Sequence, residues 1–322
     1  MIPNAVVTAW GNVRPWPSRF QIEQDLLLAR LIVEIYNHPY LARELVFRGG
    51  TCLHQLRLTA PRRYSEDLDF VRRTHDGIGE VFDALREVAQ GVGLEVIKRA
   101  KSGNPKIILG AHAEHDATAV LRVKVEVNTY ETSPAQPLES LPFAIDTAWF
   151  RGSAVVQTYS ACELVATKIR ALYQRRKGRD LFDLWVALSE LRLDPREVVE
   201  VFAPYRPAGF SSVLAERNLR EKLANDGFRR DLDPLLASSA RDDYDIDLAG
   251  EMVIREILRR LGSLLGNGGN WSTGISSINP EWRGGVNLVP VSSNANSVRL
   301  DTPAAFIIRL RRFFTDCSEA KI

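Results

Sequence analysis

Hydrophobic residues in the first part of the chain are spaced in some segments as in helices and in others as in strands. Between Ser18 and Asn37 they form one broad face at helical spacing, and Ser18 and Gln21 have the spacing of a capping box. Residues 119–127 alternate strictly between apolar and polar side chains. The pattern predicts helices over 18–37, 52–58 and 78–90, and strands over 45–47, 68–71, 94–98, 106–109 and 119–127. The segment up to Pro17 contains prolines and tryptophans and is predicted to be irregular.

Helical spacing dominates from Ser160 onward. Helices are predicted over 164–174, 179–191, from Asp194-Pro195 onward, over 214–223 and over 248–265. Residues 131–142 are rich in Pro and Ser, so we expect a first lobe over 1–140 that carries a mixed sheet and a helical lobe over 141–265. After Gly266 the composition shifts to Gly, Asn and Ser, which indicates a flexible segment and a terminal helix within 266–322. The expected fold class is α+β.

The composition excludes several classes of protein. The formal net charge is +2, from 42 basic and 40 acidic side chains, so any nucleic-acid surface must be a local patch. Three cysteines lie far apart and form no CxxC pair, which predicts a reduced, cytoplasmic protein without a disulfide or a zinc site. His112 and His115 are interpreted as part of a polar loop. The chain has no signal segment and no apolar run of membrane-spanning length, so no membrane partner is expected.

Two aspartates are the main candidates for chemistry. Asp67 and Asp69 occupy alternate positions of a predicted strand, so both carboxylates point to the same side. Like charges so close together are costly unless a cation lies between them. Magnesium binds carboxylate and phosphate oxygens, and the pair therefore suggests an Mg²⁺ site for phosphoryl transfer. An Asp-x-Asp sequence alone is more often a solvated strand edge or an ion pair with arginine.

A glycine turn upstream strengthens the interpretation. Gly49 and Gly50 lie between a predicted strand and a predicted helix, where the backbone can approach a phosphate closely, and the hydroxyl of Thr51 can bind the same oxygens. Glu126, in the middle of a predicted strand, is a candidate third carboxylate that takes the proton from an attacking hydroxyl. A salt bridge from Glu126 to Lys124 or Arg122 on the same strand face explains it equally well.

These segments resemble a known family. Arg48-Gly49-Gly50-Thr51 followed by Ser65-Glu66-Asp67-Leu68-Asp69-Phe70 resembles the DNA polymerase beta-like nucleotidyltransferase superfamily. More narrowly, the sequence is similar to the AbiEii/AbiGii toxin family, which includes the MenT toxins. The narrower resemblance rests on Lys168 within a predicted helix and on the run Arg179-Asp180-Leu181-Phe182-Asp183-Leu184. It covers roughly residues 20–200.

The resemblance implies a polymerase-beta-like nucleotidyltransferase lobe whose cleft is completed by the helical lobe. Asp67 and Asp69 would bind metal, Lys168 would contact the nucleotide phosphates and Asp180 would take part in catalysis. It also implies transfer of NMP from NTP to the 3′ acceptor end of tRNA, with Mg²⁺ and release of pyrophosphate, by a toxin with a cognate antitoxin. Ser65 matches a serine that some antitoxins phosphorylate, and a phosphate there would crowd Asp67 with like charge.

The residues around these motifs suggest further roles. Lys168 falls inside the apolar arc of its helix, as expected of a lysine that reaches an internal anion, whereas Asp183 is interpreted as structural. A basic run borders this helix and suits an RNA backbone or an ordinary surface. It consists of Arg170, Arg175, Arg176, Lys177 and Arg179. The expected nucleotide-binding residues are Arg48, Gly49, Gly50, Thr51, Arg63 and Ser65.

Three alternatives remain open on the sequence. The first is a nucleotidyltransferase that modifies a protein hydroxyl or a small molecule such as an aminoglycoside. The second is a GTP-binding module without enzymatic activity. The third is a partner-binding protein in which the acidic side chains are paired in salt bridges.

Overall fold

The computed structural model describes residues 2–100, 105–113 and 120–266. These residues belong to one compact unit, Met1–Asn267. The predicted flexible segment and terminal helix, and the interpretation of His115, lie outside the described residues.

Seven strands form one mixed sheet. Its strands are β1 (Leu45–Arg48), β2 (Asp67–Arg72), β3 (Glu95–Ala100), β4 (Lys106–His112), β5 (Val120–Asn128), β6 (Glu139–Asp146) and β7 (Arg151–Thr158). The strand order is β3-β4-β5-β2-β1-β7-β6. The central strand β2 pairs antiparallel with β1 and parallel with β5, and β1 pairs parallel with β7. The mixed sheet with its flanking helices confirms the predicted fold class.

Helices cover one face of the sheet. In the first part of the chain they are α1 (Asn4–Val13), α2 (Arg19–Asn37), α3 (Pro39–Glu44), α4 (Gly49–Cys52), which continues as a π-helical turn over Leu53–Arg57, and α5 (Gly79–Gly91). Ser18 and Gln21 form the predicted capping box at the start of α2. The apolar side of β5 (Leu121, Val123, Val125 and Val127) is buried in the same core as Leu28 and Leu31 of α2. The polar side of β5 therefore lies on the opposite face of the sheet.

The second half of the described chain is helical and has a core of its own. Its helices are α6 (Ala161–Gln174), α7 (Gly178–Glu190), α8 (Pro195–Val201), α9 (Ser212–Leu223), α10 (Asp226–Arg229), α11 (Ser238–Arg241), α12 (Ile246–Val253), which continues as a π-helical turn over Ile254–Leu258, and α13 (Arg259–Gly266). A short 3-10 turn spans Ala203–Tyr205. Residues of α6, α7, α8, α9 and α12 share one hydrophobic cluster. None of the described helices combines the length and apolar character needed to cross a bilayer.

Two sequence predictions about secondary structure are wrong. The N-terminal segment is not irregular throughout, because Asn4–Val13 form α1, which buries Val6 and Val7 against the core. The boundary predicted at residue 140 falls inside β6, and residues 141–158, assigned to the helical lobe, complete β6 and form β7. These two strands pair with each other and, through β7, with β1, so the sheet extends to Thr158.

Candidate active site

The acidic residues meet on the polar face of the central strands. Asp69 of β2 lies directly opposite Arg48 of β1 and Glu126 of β5. Asp67 lies opposite Lys124 in the neighbouring row. Directly opposed residues point to the same face of a sheet. The structure therefore brings together the predicted carboxylates, with a cation on either side of them.

The glycine turn rests against Asp69. Gly49 has a φ of +84°, and a Cβ built there would lie 2.3 Å from Oδ2 of Asp69. A side chain at this position is excluded both by the backbone conformation and by the carboxylate. The turn and the metal-binding candidate are thus in direct contact.

Burial and nearby charged groups together set the electrostatic environment of the Asp69 carboxylate. Burial raises the pKa of Asp69, and the nearby carboxylates of Asp67 and Glu126 raise it further. The positive charges of Arg48 and Lys168 act in the opposite direction. A buried carboxylate that lies beside two others is stabilised in its charged form when a further cation binds to it.

Lys124 holds the other two carboxylates. Its Nζ lies 2.9 Å from Oδ2 of Asp67 and 3.5 Å from Oε2 of Glu126. These acids raise the pKa of Lys124 against the effect of burial, which lowers it. The salt bridge from Glu126 to Lys124, one of the two explanations weighed from the sequence, is present. This salt bridge does not test whether Glu126 accepts a proton, and that role stays a prediction.

Thr51 and Ser65 connect the turn to the strand. The Thr51 hydroxyl donates to the carbonyl oxygen of Asp67 at 2.5 Å and lies 2.9 Å from the Ser65 hydroxyl. The Thr51 side chain is buried, so it fixes the strand edge from within. This geometry does not favour the direct hydrogen bond from Thr51 to a phosphate that the sequence suggests. Ser65 is only partly buried, so its hydroxyl is more accessible than that of Thr51.

Lys168 extends from α6 towards this face, held by two aspartates of α7. Its Nζ lies 2.8 Å from Oδ2 of Asp183 and 3.5 Å from Oδ1 of Asp180. Asp180 is also bonded by the guanidinium of Arg175 at 2.6 and 2.7 Å. Both aspartates are fully buried. The closer partner of Lys168 is thus Asp183, for which the sequence indicates a structural role. The catalytic role of Asp180 rests on the resemblance to the toxin family.

A buried network surrounds Asp183. Arg63 donates to both of its oxygens at 2.7 Å, and Nε2 of His54 lies 2.9 Å from Oδ1. Burial alone would raise the pKa of Asp183, but Arg63, Lys168 and the hydrogen bonds hold it well below its usual range. Burial and the neighbouring Arg63 lower the pKa of His54 to about 4, so this ring is neutral near pH 7.

Arg63 does not lie where a triphosphate could reach it. Its side chain is only 3% exposed and bonded to Asp183, and a Cβ on Gly50 would lie 2.5 Å from its Nη2. The expectation that Arg63 steers a triphosphate is therefore corrected: the guanidinium supports the glycine turn from behind. The sequence contains no local signal for this role, because Asp183 is 120 positions away.

Glu131, which the motifs do not include, bridges the two halves of the site. Its carboxylate binds Nη1 of Arg48 at 2.9 Å and forms a two-pronged pair with Arg170 on α6, two positions after Lys168. These contacts outweigh burial and lower the pKa of Glu131 to about 2. Arg48, the predicted nucleotide-binding residue opposite Asp69, is thus oriented by a carboxylate that also contacts α6.

The basic run after α6 is partly neutralised. Arg175 pairs with Asp180, the Lys177 ammonium lies 3.4 Å from Asp231, and the backbone N–H of Arg179 donates to the same carboxylate. Arg176 is exposed. The run is therefore less cationic than its sequence suggests, and its role in RNA binding remains a prediction.

Asp67 and Asp69 supply carboxylate oxygens, the kind of ligand that Mg²⁺ takes in proteins. Across the described ranges, no group of three His, Cys, Asp or Glu side chains is placed to hold a metal by itself. Magnesium does not require three, because it keeps water ligands and takes phosphate oxygens from its substrate. Burial and the neighbouring carboxylates, which together raise the pKa of Asp69, are consistent with such a site.

Comparisons with solved structures place the fold among nucleotidyltransferases. MenT4, a nucleotidyltransferase toxin from Mycobacterium tuberculosis H37Rv, superposes with a TM-score of 0.51 at 19% identity, over 79% of this chain and 99% of MenT4. A protein from H. pylori described as a nucleotidyltransferase gives 0.47 at 14% identity, over 77% and 97% of the two chains. At 19% identity the similarity to MenT4 concerns the fold alone. The TM-score of the H. pylori protein is too low to support a conclusion about this chain.

The sequence narrows this class to one family. Residues 30–252 match the family described as nucleotidyl transferase AbiEii toxin of type IV toxin–antitoxin systems. The chain belongs to this family, and the predicted relationship is confirmed. No curated protein shows a significant match to the chain.

Proposed function

We propose that this protein is a toxin that transfers a nucleoside monophosphate from NTP to the 3′ acceptor end of tRNA and releases pyrophosphate. One observation carries the proposal: Asp67 and Asp69 share a sheet face with a glycine turn in contact with Asp69, and Lys168 is close enough to act on the charge of Asp69. Family membership supports the reaction class.

Asp67 and Asp69 would hold Mg²⁺ through their carboxylates. A bound magnesium ion supplies neutralisation of the triphosphate charge and a lowered pKa for the attacking hydroxyl. Asp69 is partly buried, and partial burial strengthens its electrostatic contacts.

The other residues would bind the triphosphate and move a proton. Backbone N–H groups at Gly49 and Gly50 suit phosphate oxygens, and Lys168 and Arg48 add positive charge. The acceptor hydroxyl oxygen bonds to the α-phosphorus as the bond to the pyrophosphate oxygen breaks, and Glu126 takes the hydroxyl proton. Asp183 would hold the ammonium of Lys168 in place through the 2.8 Å contact. Positioning and charge neutralisation supply most of the rate.

Transfer of labelled nucleotide identifies the acceptor of the reaction. Purified tRNA, total RNA and total protein are each incubated with the four labelled nucleoside triphosphates and Mg²⁺. We expect label in tRNA with wild type and with Glu66→Gln, an exposed carboxylate one position from Asp67, and none with Asp67→Ala. Label that enters protein or small molecules and never RNA would refute tRNA as the acceptor. Loss of all transfer in every arm would favour the nucleotide-binding module.

Ser65 is the proposed point of control by an antitoxin. Its hydroxyl lies 2.9 Å from the Thr51 hydroxyl, beside the turn and two residues before Asp67. A negative charge there would repel the acidic site and the triphosphate together. We expect Ser65→Glu to lose triphosphate binding and Ser65→Ala, which removes a hydroxyl but adds no charge, to weaken it far less, measured by calorimetry with NTP and Mg²⁺. Full binding by Ser65→Glu would rule out this form of control.

The proposed substrates, NTP and tRNA, are cytoplasmic molecules, so we propose that the reaction takes place in the cytoplasm.

A further inference from the structure

The polar face of the sheet continues beyond the aspartates across β5, β4 and β3. In register, Lys106 of β4 lies opposite Glu126, and Arg122 of β5 lies opposite Gly110. Lys98 of β3 lies opposite Ile108, which in turn lies opposite Lys124. Lys98, Lys106 and Arg122 therefore share the face that carries Asp67 and Asp69. We call these three residues the basic face.

The basic face is accessible and directly adjoins the candidate active site. Lys98 and Arg122 are exposed, and Lys106 is partly buried. Neighbouring strands lie about 4.8 Å apart, so Lys106 is one strand away from Glu126 and Lys98 two. Arg122 lies about 7 Å along β5 from Lys124, the partner of Asp67. An extended ligand bound along these three cations would therefore continue directly to Asp67 and Asp69.

The sign of the charge is the informative property of this face. An open sheet face is polar in any protein, but polarity alone does not select cations. The whole chain is nearly balanced, with 42 basic and 40 acidic side chains, whereas on β3, β4 and β5 beyond the site the described residues of this face include three cations and one acid, Glu95. Within the part of the chain that the structure describes, none of the three cations forms an ion pair, unlike Arg175 and Lys177. Their charge is therefore available to a polyanion.

We propose that the basic face binds the phosphate backbone of the RNA acceptor and directs its end to Asp67 and Asp69. This inference rests on the proposed function, because it assigns a path to the acceptor of that reaction. Cations facing successive phosphates fix the position of a strand without reading its bases. Such contacts also make binding strongly dependent on salt.

The test compares two triple variants of equal charge. Lys98→Gln/Lys106→Gln/Arg122→Gln removes the basic face. Arg43→Gln/Arg151→Gln/Arg217→Gln removes three cations outside the basic face, whose own side chains are 69%, 80% and 77% exposed, so that the ion pairs they form contribute little. Binding of fluorescently labelled purified tRNA is followed by anisotropy between about 50 and 200 mM KCl, without NTP. Thermal unfolding confirms that each variant is folded.

We expect the basic-face variant to bind tRNA about 100-fold more weakly near 0.1 M salt and its salt slope to fall by about 2 to 3, because three phosphate contacts are lost. The control variant should stay within about twofold of wild type. Equal losses in both variants, unchanged binding by the basic-face variant, or no tRNA binding by wild type would each overturn the inference. Binding that depends on the basic face, without nucleotide transfer to tRNA, would support the surface and refute the proposed acceptor.

Discussion

At the scale of single residues, the site depends on the contact between Gly49 and Asp69. A glycine with φ of +84° allows the backbone to turn where the carboxylate already occupies the space of a side chain. The same contact keeps Asp69 in one position between Arg48 and Glu126. The close approach of the turn therefore helps to orient the Asp69 carboxylate.

Gly49→Ala should abolish most nucleotide transfer, because the new Cβ would displace Asp69. Gly93 is a matched control: its φ is +78°, but a Cβ there meets nothing within 4 Å. Both substitutions add backbone strain of about 1–2 kcal/mol, whereas only the first should reduce the rate, by at least about 100-fold. Rates are compared at temperatures where both variants are folded. Equal rates for the two variants would show that the contact with Asp69 has no part in activity.

At the scale of elements, Glu131 joins β1 to α6. It binds Arg48 of β1 and Arg170 of α6. Because these contacts lower the pKa of Glu131 to about 2, its stabilising effect is complete above the usual pKa near 4.5. It is then lost as the pH falls from about 4.5 towards 2, since protonation removes the charge that the arginines bind.

Glu131→Gln should therefore lower the free energy of unfolding at pH 7 by roughly 1–3 kcal/mol, and the difference from wild type should shrink as the pH falls below about 4.5. Urea denaturation at a series of pH values measures this difference. Glu139→Gln is the control, because Glu139 has one arginine partner and a side chain 41% exposed. A difference between wild type and Glu131→Gln that stays constant with pH would contradict the assignment.

At the scale of the whole molecule, a sheet-based core and a helical core meet at buried charges. Arg63 precedes β2, Lys168 lies on α6 and Asp183 on α7, so one carboxylate ties three segments together. Such a buried group is costly when one partner is removed, because the remaining charge stays out of water.

Arg63→Met should lower the free energy of unfolding by about 3–5 kcal/mol, since Asp183 loses two hydrogen bonds and its main counter-charge. Arg62→Met should cost no more than about 1 kcal/mol, although Arg62 also binds two acids, because its side chain lies nearer the solvent, 21% exposed. Urea denaturation compares the two. A loss of similar size in both variants would mean that the buried network does not hold the cores together.

The sequence predicts local features of this molecule well and distant contacts poorly. The Asp67–Asp69 pair and the Gly49 turn follow from spacing within a few residues. Strands β6 and β7 escape prediction because the Pro- and Ser-rich approach to β6 resembles a linker, and their place is set by pairing with β1. The partners of Asp183 lie as far as 129 positions away, so nothing in its neighbourhood reveals that it binds Arg63 and His54.

We propose that Asp67 and Asp69 bind the triphosphate through a shared metal ion. Calorimetry with NTP, with and without Mg²⁺, tests it in wild type, Asp69→Asn and the control Glu66→Gln. Binding that requires Mg²⁺ in wild type and in Glu66→Gln, and that is lost in Asp69→Asn, is the predicted result. Binding of equal strength in all three proteins, whether or not Mg²⁺ is present, would contradict the account.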